Sequence, residues 1–203
     1  MSRGAIIALS IVGFLLLVVI IAATWIFGTY NKLVKSDENV NQAWSLVQDD
    51  YQRRSDLIPN LVETVKGYAK HEADVLEKVT EARSNATKVT MNITPQVLDN
   101  PQAFRRFQQA QDGLSSALTR LLAVSENYPN LKADQNFLAL QSQLEGTENR
   151  IKVSRDRFND AVQSYNVLVR RVPSSIIASF SGFHERPYFQ AEQGAATAPK
   201  VQF

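Results

Sequence analysis

The chain contains no cysteine. That excludes disulfides, thiolate zinc sites, iron–sulfur clusters, a cysteine nucleophile and the lipid-bearing cysteine of a bacterial lipoprotein. Histidine is almost as scarce, with only His71 and His184. A metalloprotease helix needs a second histidine four residues after the first so that both face one metal; four residues after His71 stands Val75. An excess of one charge is missing too, since 22 basic residues nearly balance 20 acidic ones and the two signs are interspersed. Phosphate binding needs a concentrated basic stripe, so a nucleic-acid partner is not expected. There is no G-x-S-x-G elbow and no phosphate-binding glycine loop. No catalytic, metal-ligating or cofactor-binding residue is therefore assigned, no cofactor is expected, and the chain does not read as an enzyme.

Charge is absent altogether from Gly4 to Tyr30, where most positions are Ile, Leu, Val, Ala or Phe. About 20 such residues span the hydrocarbon of a bilayer. A secretory signal peptide has an apolar core of only about 7 to 15 residues, so the longer run reads as a retained anchor over residues 1–35. Trp25 and Tyr30 stand near its end, where amphipathic rings prefer the headgroup level. Arg3 on one side and Lys32 with Lys35 on the other nearly cancel under the positive-inside rule, which leaves the side of the soluble part open.

From Val40 to Ala86, apolar residues recur at alternating spacings of three and four: Val40, Trp44, Val47, Tyr51, then Ile58, Leu61, Val65, Tyr68, and on through Val75, Val79, Ala82 and Ala86. This is the period of a helix that buries one stripe against antiparallel neighbours. Pro59 interrupts the hydrogen-bond ladder, yet the phase survives on both sides of it. The pattern predicts a kinked but continuous helix with Pro59 off the stripe, and a broken, offset helix is the alternative.

Turn residues cluster between Lys88 and Pro101, and Asn100-Pro101 reads as an N-cap followed by proline at the first helical position. A second helix then carries Phe104, Phe107, Gln111, Leu114, Leu118, Leu121 and Ser125 at the same spacing, and it ends at Asn127-Tyr128-Pro129. A third, capped near Asp134, carries Phe137, Leu144, Ile151, Phe158, Val162 and Tyr165. Pro173 closes it and opens a short fourth. The expected fold is all-α: an N-terminal transmembrane helix, then an elongated antiparallel bundle of three long helices and a short fourth over residues 36–183, then a C-terminal tail over 184–203.

Four charged residues fall on the apolar stripes: Arg54 and Glu72 on the first helix, Glu148 and Arg155 on the third. Buried unpaired charge is costly, so these predict interhelical pairing that fixes register, a polar groove for a partner, or plain exposure. Gly67 and Gly146 sit inside helices, which implies close backbone approach or a ligand fitted over the missing side chains. Phe180, Phe183, Tyr188 and Phe189 form an aromatic cluster expected to dock on the chain's own bundle or on a neighbouring subunit.

Several stretches resemble signatures of the bacterial LemA family: Tyr30-Asn31-Lys32-Leu33-Val34, Ala43-Trp44-Ser45, and the run Arg53-Arg54-Ser55-Asp56-Leu57-Ile58-Pro59-Asn60-Leu61-Val62. Others are Val65-Lys66-Gly67-Tyr68-Ala69-Lys70-His71-Glu72, Leu122-Ala123-Val124-Ser125-Glu126-Asn127-Tyr128-Pro129, and Leu144-Glu145-Gly146-Thr147-Glu148-Asn149-Arg150-Ile151. The likeness covers about Tyr30 to Phe183. It implies a single-pass bacterial membrane protein with a helical-bundle domain and no generally established biochemical activity. Together with the residues, it points to a scaffold or adaptor in the inner membrane that contacts the bilayer, forms a homo-oligomer or binds membrane-protein partners. The alternatives are a sensor with a charged groove around Glu148 and Arg155, and, by analogy alone, an accessory to a membrane protease or stress pathway.

Overall fold

A computed structural model of the chain describes residues 3–91 and 95–190, and within them every regular element is helical. Asn92 to Thr94, and the expected tail from Ala191 onward, lie outside the described residues. Helix α1 runs without interruption over Arg3–Tyr68, so the apolar run and the first bundle helix are one rod. Pro59 lies inside it, exposed and away from the buried stripe, where the lost hydrogen bond is open to water. At about 1.5 Å per residue, a helix of this length reaches roughly 100 Å.

The long stripe expected from Val40 to Ala86 is not one helix. The chain reverses at Ala69–Glu72, where the Glu72 amide bonds to the Ala69 carbonyl at 3.1 Å, and α2 (Ala73–Met91) folds back along α1. The reversal is plain from Ser55, which meets both Arg83 (Nε to the Ser55 carbonyl, 2.9 Å) and Thr87 (3.2 Å between hydroxyls). The phase persisted because both arms bury the same kind of stripe: Val65 and Ala69 end one, Leu76 and Val79 begin the other. Tyr68, which the continuous reading placed on the stripe, is exposed.

A 3-10 turn (Pro95–Asp99) leads to α3 (Pro101–Val124), capped as expected by the Asn100 side chain, which accepts from the amides of Gln102 and Ala103. The short α4 (Pro129–Lys132) precedes α5 (Gln135–Arg170), whose N-cap Asp134 accepts from the Phe137 amide at 2.8 Å and from the Tyr68 hydroxyl at 2.9 Å. These bonds favour the carboxylate and hold the Asp134 side chain below its ordinary value, the Phe137 amide contributing most. They also tie the distal end of α1 to the start of α5. Helix α6 (Ser174–Phe180) closes the helical part.

The bundle is therefore built from four long segments, because α2 is a separate wall. Its interior divides into two apolar cores. One, near the apolar part of α1, gathers Trp44, Tyr51, Phe104, Phe107, Phe158 and Phe189. The distal one gathers Ile58, Leu61, Val79, Leu121, Phe137 and Leu144.

Candidate functional site

Between the two cores lies a polar layer contributed by all four long helices. Arg54 of α1 is buried and donates to Glu148 of α5 (3.1 Å), to Ser115 of α3 (2.7 Å) and to both the side chain and the carbonyl of Gln111 on α3. Gln111 in turn donates to Thr90 of α2 at 3.1 Å. The guanidinium carbon sits 4.9 Å from the centre of the Tyr51 ring. Burial pushes the Tyr51 hydroxyl up to about 12, against the pull of the Arg155 and Arg54 charges, and that hydroxyl has no hydrogen-bond partner. A charge removed from water is tolerated only with such a set of acceptors, which also fixes the axial register of the helices that supply them.

The four charges singled out on the stripes do not form one cluster. Arg54 and Glu148 meet in the layer. Arg155, a heptad beyond Glu148, faces Asp112 at 3.9 Å, lies 4.7 Å over the Phe189 ring and donates to the Gln190 carbonyl. Glu72 is at the distal corner, accepting from the Tyr128 hydroxyl at 3.1 Å. Burial first, and then this bond, raise the Tyr128 hydroxyl. Arg53 and Arg150 line an open groove of about 570 Å³ between α1 and α5 with Asp49, Asp56 and Gly146. A second groove of about 760 Å³ runs between α1 and α2 over Val62 and Leu76, rimmed by Glu63, Lys66 and Glu77. Nothing approaches within 4 Å of where a Cβ would stand on Gly67 or Gly146, so close backbone approach explains neither glycine.

The aromatic cluster near the C-terminus divides as well. Phe189 is buried among Trp44, Phe104 and Phe158, with ring centroids 4.8–6.1 Å away, and so docks on the chain's own bundle. Phe183 packs against Tyr30 and Tyr165. Tyr188 is partly exposed and Phe180 stands almost free in solvent.

After α6 the chain runs without regular structure over residues 183–190 as a strap along the bundle, held by three side-chain amides that each grip one strap residue by both backbone groups. Asn166 binds the amide and carbonyl of Arg186, Asn159 those of Phe189, and Gln108 those of Gln190. Seven residues of helix rise about 10.5 Å and three of extended chain about 10 Å. The Asn159–Asn166 spacing therefore matches that of Phe189 and Arg186. Arg186 completes the clasp, with Asp37 of α1 at 3.0 Å and Asp99 at 2.6 Å. The trace of this in the sequence was a pair of asparagines one heptad apart, flanking the stripe that Phe158, Val162 and Tyr165 form.

Among the described residues there is no group of three or more His, Asp or Glu side chains placed to hold a metal ion. Among them too, α1 is the one helix long and apolar enough to cross a membrane, and its apolar part is exposed. Fold and site together define a class, helical-bundle proteins carried on an N-terminal candidate membrane span. A sequence profile of the LemA family matches residues 43–203, and the chain belongs to that family. It is 25% identical to the magnetosome proteins MamQ 1 and MamQ 2 of Paramagnetospirillum magneticum, over 99% of this chain and 78% of each relative. It is 23% identical to the protein LemA of Metamycoplasma hominis, over 82% of this chain and 71% of the relative. A membrane location is consistent with the apolar helix and with these relatives.

Proposed function

We propose that this protein is a non-enzymatic scaffold or adaptor, anchored by a single span in the bacterial inner membrane, that self-assembles or binds membrane-protein partners. The observation that supports this reading is the continuity of α1: an exposed apolar stretch passes without a joint into the helix that organises the bundle. A rigid connection of that kind suits a part whose work is to hold a surface at a fixed height above lipid. The layer around Arg54 is committed to structure by its own hydrogen bonds, and Arg155 is committed to the strap. The grooves flanking α1 are among the surfaces left for partners.

Light scattering of the full chain in detergent at micromolar concentration tests the assembly arm. The expected protein mass is a multiple of 22.7 kDa, and a monomer overturns self-assembly. Because Phe189 belongs to the chain's own core, assembly in this reading does not run through that residue.

A second reading, a sensor that binds a small molecule or peptide, draws on the mixed-charge groove of Asp49, Arg53, Asp56 and Arg150, whose lining includes neither Glu148 nor Arg155. Replacing Arg53 and Arg150 by Gln would abolish such binding with the melting temperature kept, whereas a purely structural role for this face predicts no lost ligand.

A further inference from the structure

Helix α6 turns one face inward and leaves the other uncovered. Ser174 and Ala178, one turn apart, are buried against the bundle, and the Ser174 hydroxyl donates to the carbonyls of Leu168 and Arg171, which folds the short helix back on α5. The outward positions of the helix are Ile176 and Phe180, again one turn apart and 55% and 92% exposed, and Val172, in the turn that leads into it, is 75% exposed. Among the described residues beyond the apolar run of α1, no other large apolar side chain is more than half exposed. The two on α6, with Val172 in the turn just before them, make an exposed apolar patch.

Its height along the molecule is fixed by the register of α1 and α5. Arg54 pairs with Glu148, and ten residues nearer the N-terminus Trp44 packs on Phe158, ten residues further along α5. The same antiparallel step brings Arg170 level with Lys32, where the uncharged run of α1 ends. Just after α6, the Phe183 ring lies 6.0 Å from that of Tyr30. The exposed face of α6 therefore stands at the level where α1 would leave the hydrocarbon. Lys32, Lys35, Arg170 and Arg171 are exposed around it, against Glu38 and Glu185, the latter 3.9 Å from Arg170. Apolar side chains rimmed by an excess of basic ones fit the boundary between acyl chains and anionic headgroups.

We propose that α6 lies in the surface of the bilayer that α1 crosses, with Val172, Ile176 and Phe180 inserted among the lipids as a second contact beside the span. The proposal rests on the membrane-anchored reading above. It gives the bundle a fixed tilt and rotation, since one helix through the membrane and one along it define a plane.

The absence of cysteine makes the test direct. Full-length F180C, I20C and R120C are labelled with a polarity-sensitive fluorophore and reconstituted in phosphatidylcholine–phosphatidylglycerol vesicles carrying lipids spin-labelled near the headgroup or deep in the chain. The label at 20 reports the span, and the one at 120 the distal bundle. At a depth of about 5–10 Å the label at 180 should lose about half its emission to the shallow quencher, while the label at 120 keeps its own. Quenching at 20 with none at 180 overturns the proposal and leaves the span standing. No quenching at 20 overturns the span, and the proposal with it. A blue-shifted label at 180 that lipid quenchers do not touch assigns the face to protein, either a second copy or the chain's own C-terminal residues, and overturns the proposal as well.

Discussion

Arg54 has 1% of its side chain exposed while Glu148, its partner, keeps 40%. Removing Glu148 leaves a buried guanidinium short of the anion it pairs with, whereas removing Arg54 leaves a carboxylate that water can reach. Glu148→Ala should therefore cost about 2–3 kcal/mol and Arg54→Met, which refills most of the volume, less than that. Urea denaturation of both variants checks the order, and a larger loss for Arg54→Met would show that the neutral acceptors Gln111 and Ser115 carry the layer. Tyr51 beside it makes a prediction about pH. The unfolded chain gives up the phenolic proton near pH 10, and the native state holds it to about 12. Between those values the native state binds more protons, so stability falls as pH rises. Tyr51→Phe should flatten that alkaline slope. At neutral pH it should hold or raise stability, by up to about 1 kcal/mol, because the hydroxyl removed is buried and unpaired. Denaturation midpoints at pH 7 and pH 11 measure both effects.

Among the elements, the strap is the part that differs most from a helical bundle, and Phe189 is its fixed point. Phe189→Ala opens the centre of a five-ring cluster and should cost about 3–5 kcal/mol. Asn159→Ala removes two hydrogen bonds to the same residue while leaving the ring in place, and should cost about 1–2 kcal/mol. Amide exchange at Phe189 should accelerate in both variants, with exchange in the distal core around Leu121 and Phe137 unchanged in Asn159→Ala. Periodicity read the helices well where a cap or a proline marked the end: Asn100, Asp134 and Pro173 each stand where the structure turns. It failed at Ala69–Glu72, where the reversal carries no proline and the two arms keep one phase. Tyr68 and Glu72 were assigned to a core that Ala69 and Leu76 occupy instead. The Arg54–Glu148 pair was legible because charge on an apolar stripe must find a partner. Gln111 fell on the stripe of α3, but its bonds to Arg54 and Thr90, and the asparagine clamps, were not legible, since uncharged amides and hydroxyls on a helix face look the same whether they grip a partner or meet water.

Across the whole molecule, the decisive property is that α1 has no joint where the apolar run meets the bundle. Ser36, Asp37 and Glu38 could have started a new helix, but the ladder passes through them, and Ser36 and Leu33 are buried beneath neighbouring segments. From Tyr30 to Tyr68 the rod rises about 57 Å. The corner at Ala69–Glu72 and the turn before α4, tied together by the Glu72–Tyr128 bond, would then stand at that height above the headgroups. Labelling a Lys70→Cys variant and measuring energy transfer to headgroup-labelled lipid should return a single distance close to the rod length for an upright bundle, shorter only by the cosine of its tilt. Inserting two glycines after Gly28, before the first residues of α1 that pack on the bundle, should spread that distance over a wide range if the continuous helix alone holds the bundle upright. If instead α6 and the basic residues beside it also seat the bundle on lipid, the distribution should broaden only when Phe180 and Ile176 are replaced by Ser in the same chain. The comparison of the two insertions, with and without those replacements, separates a stalk from a tripod.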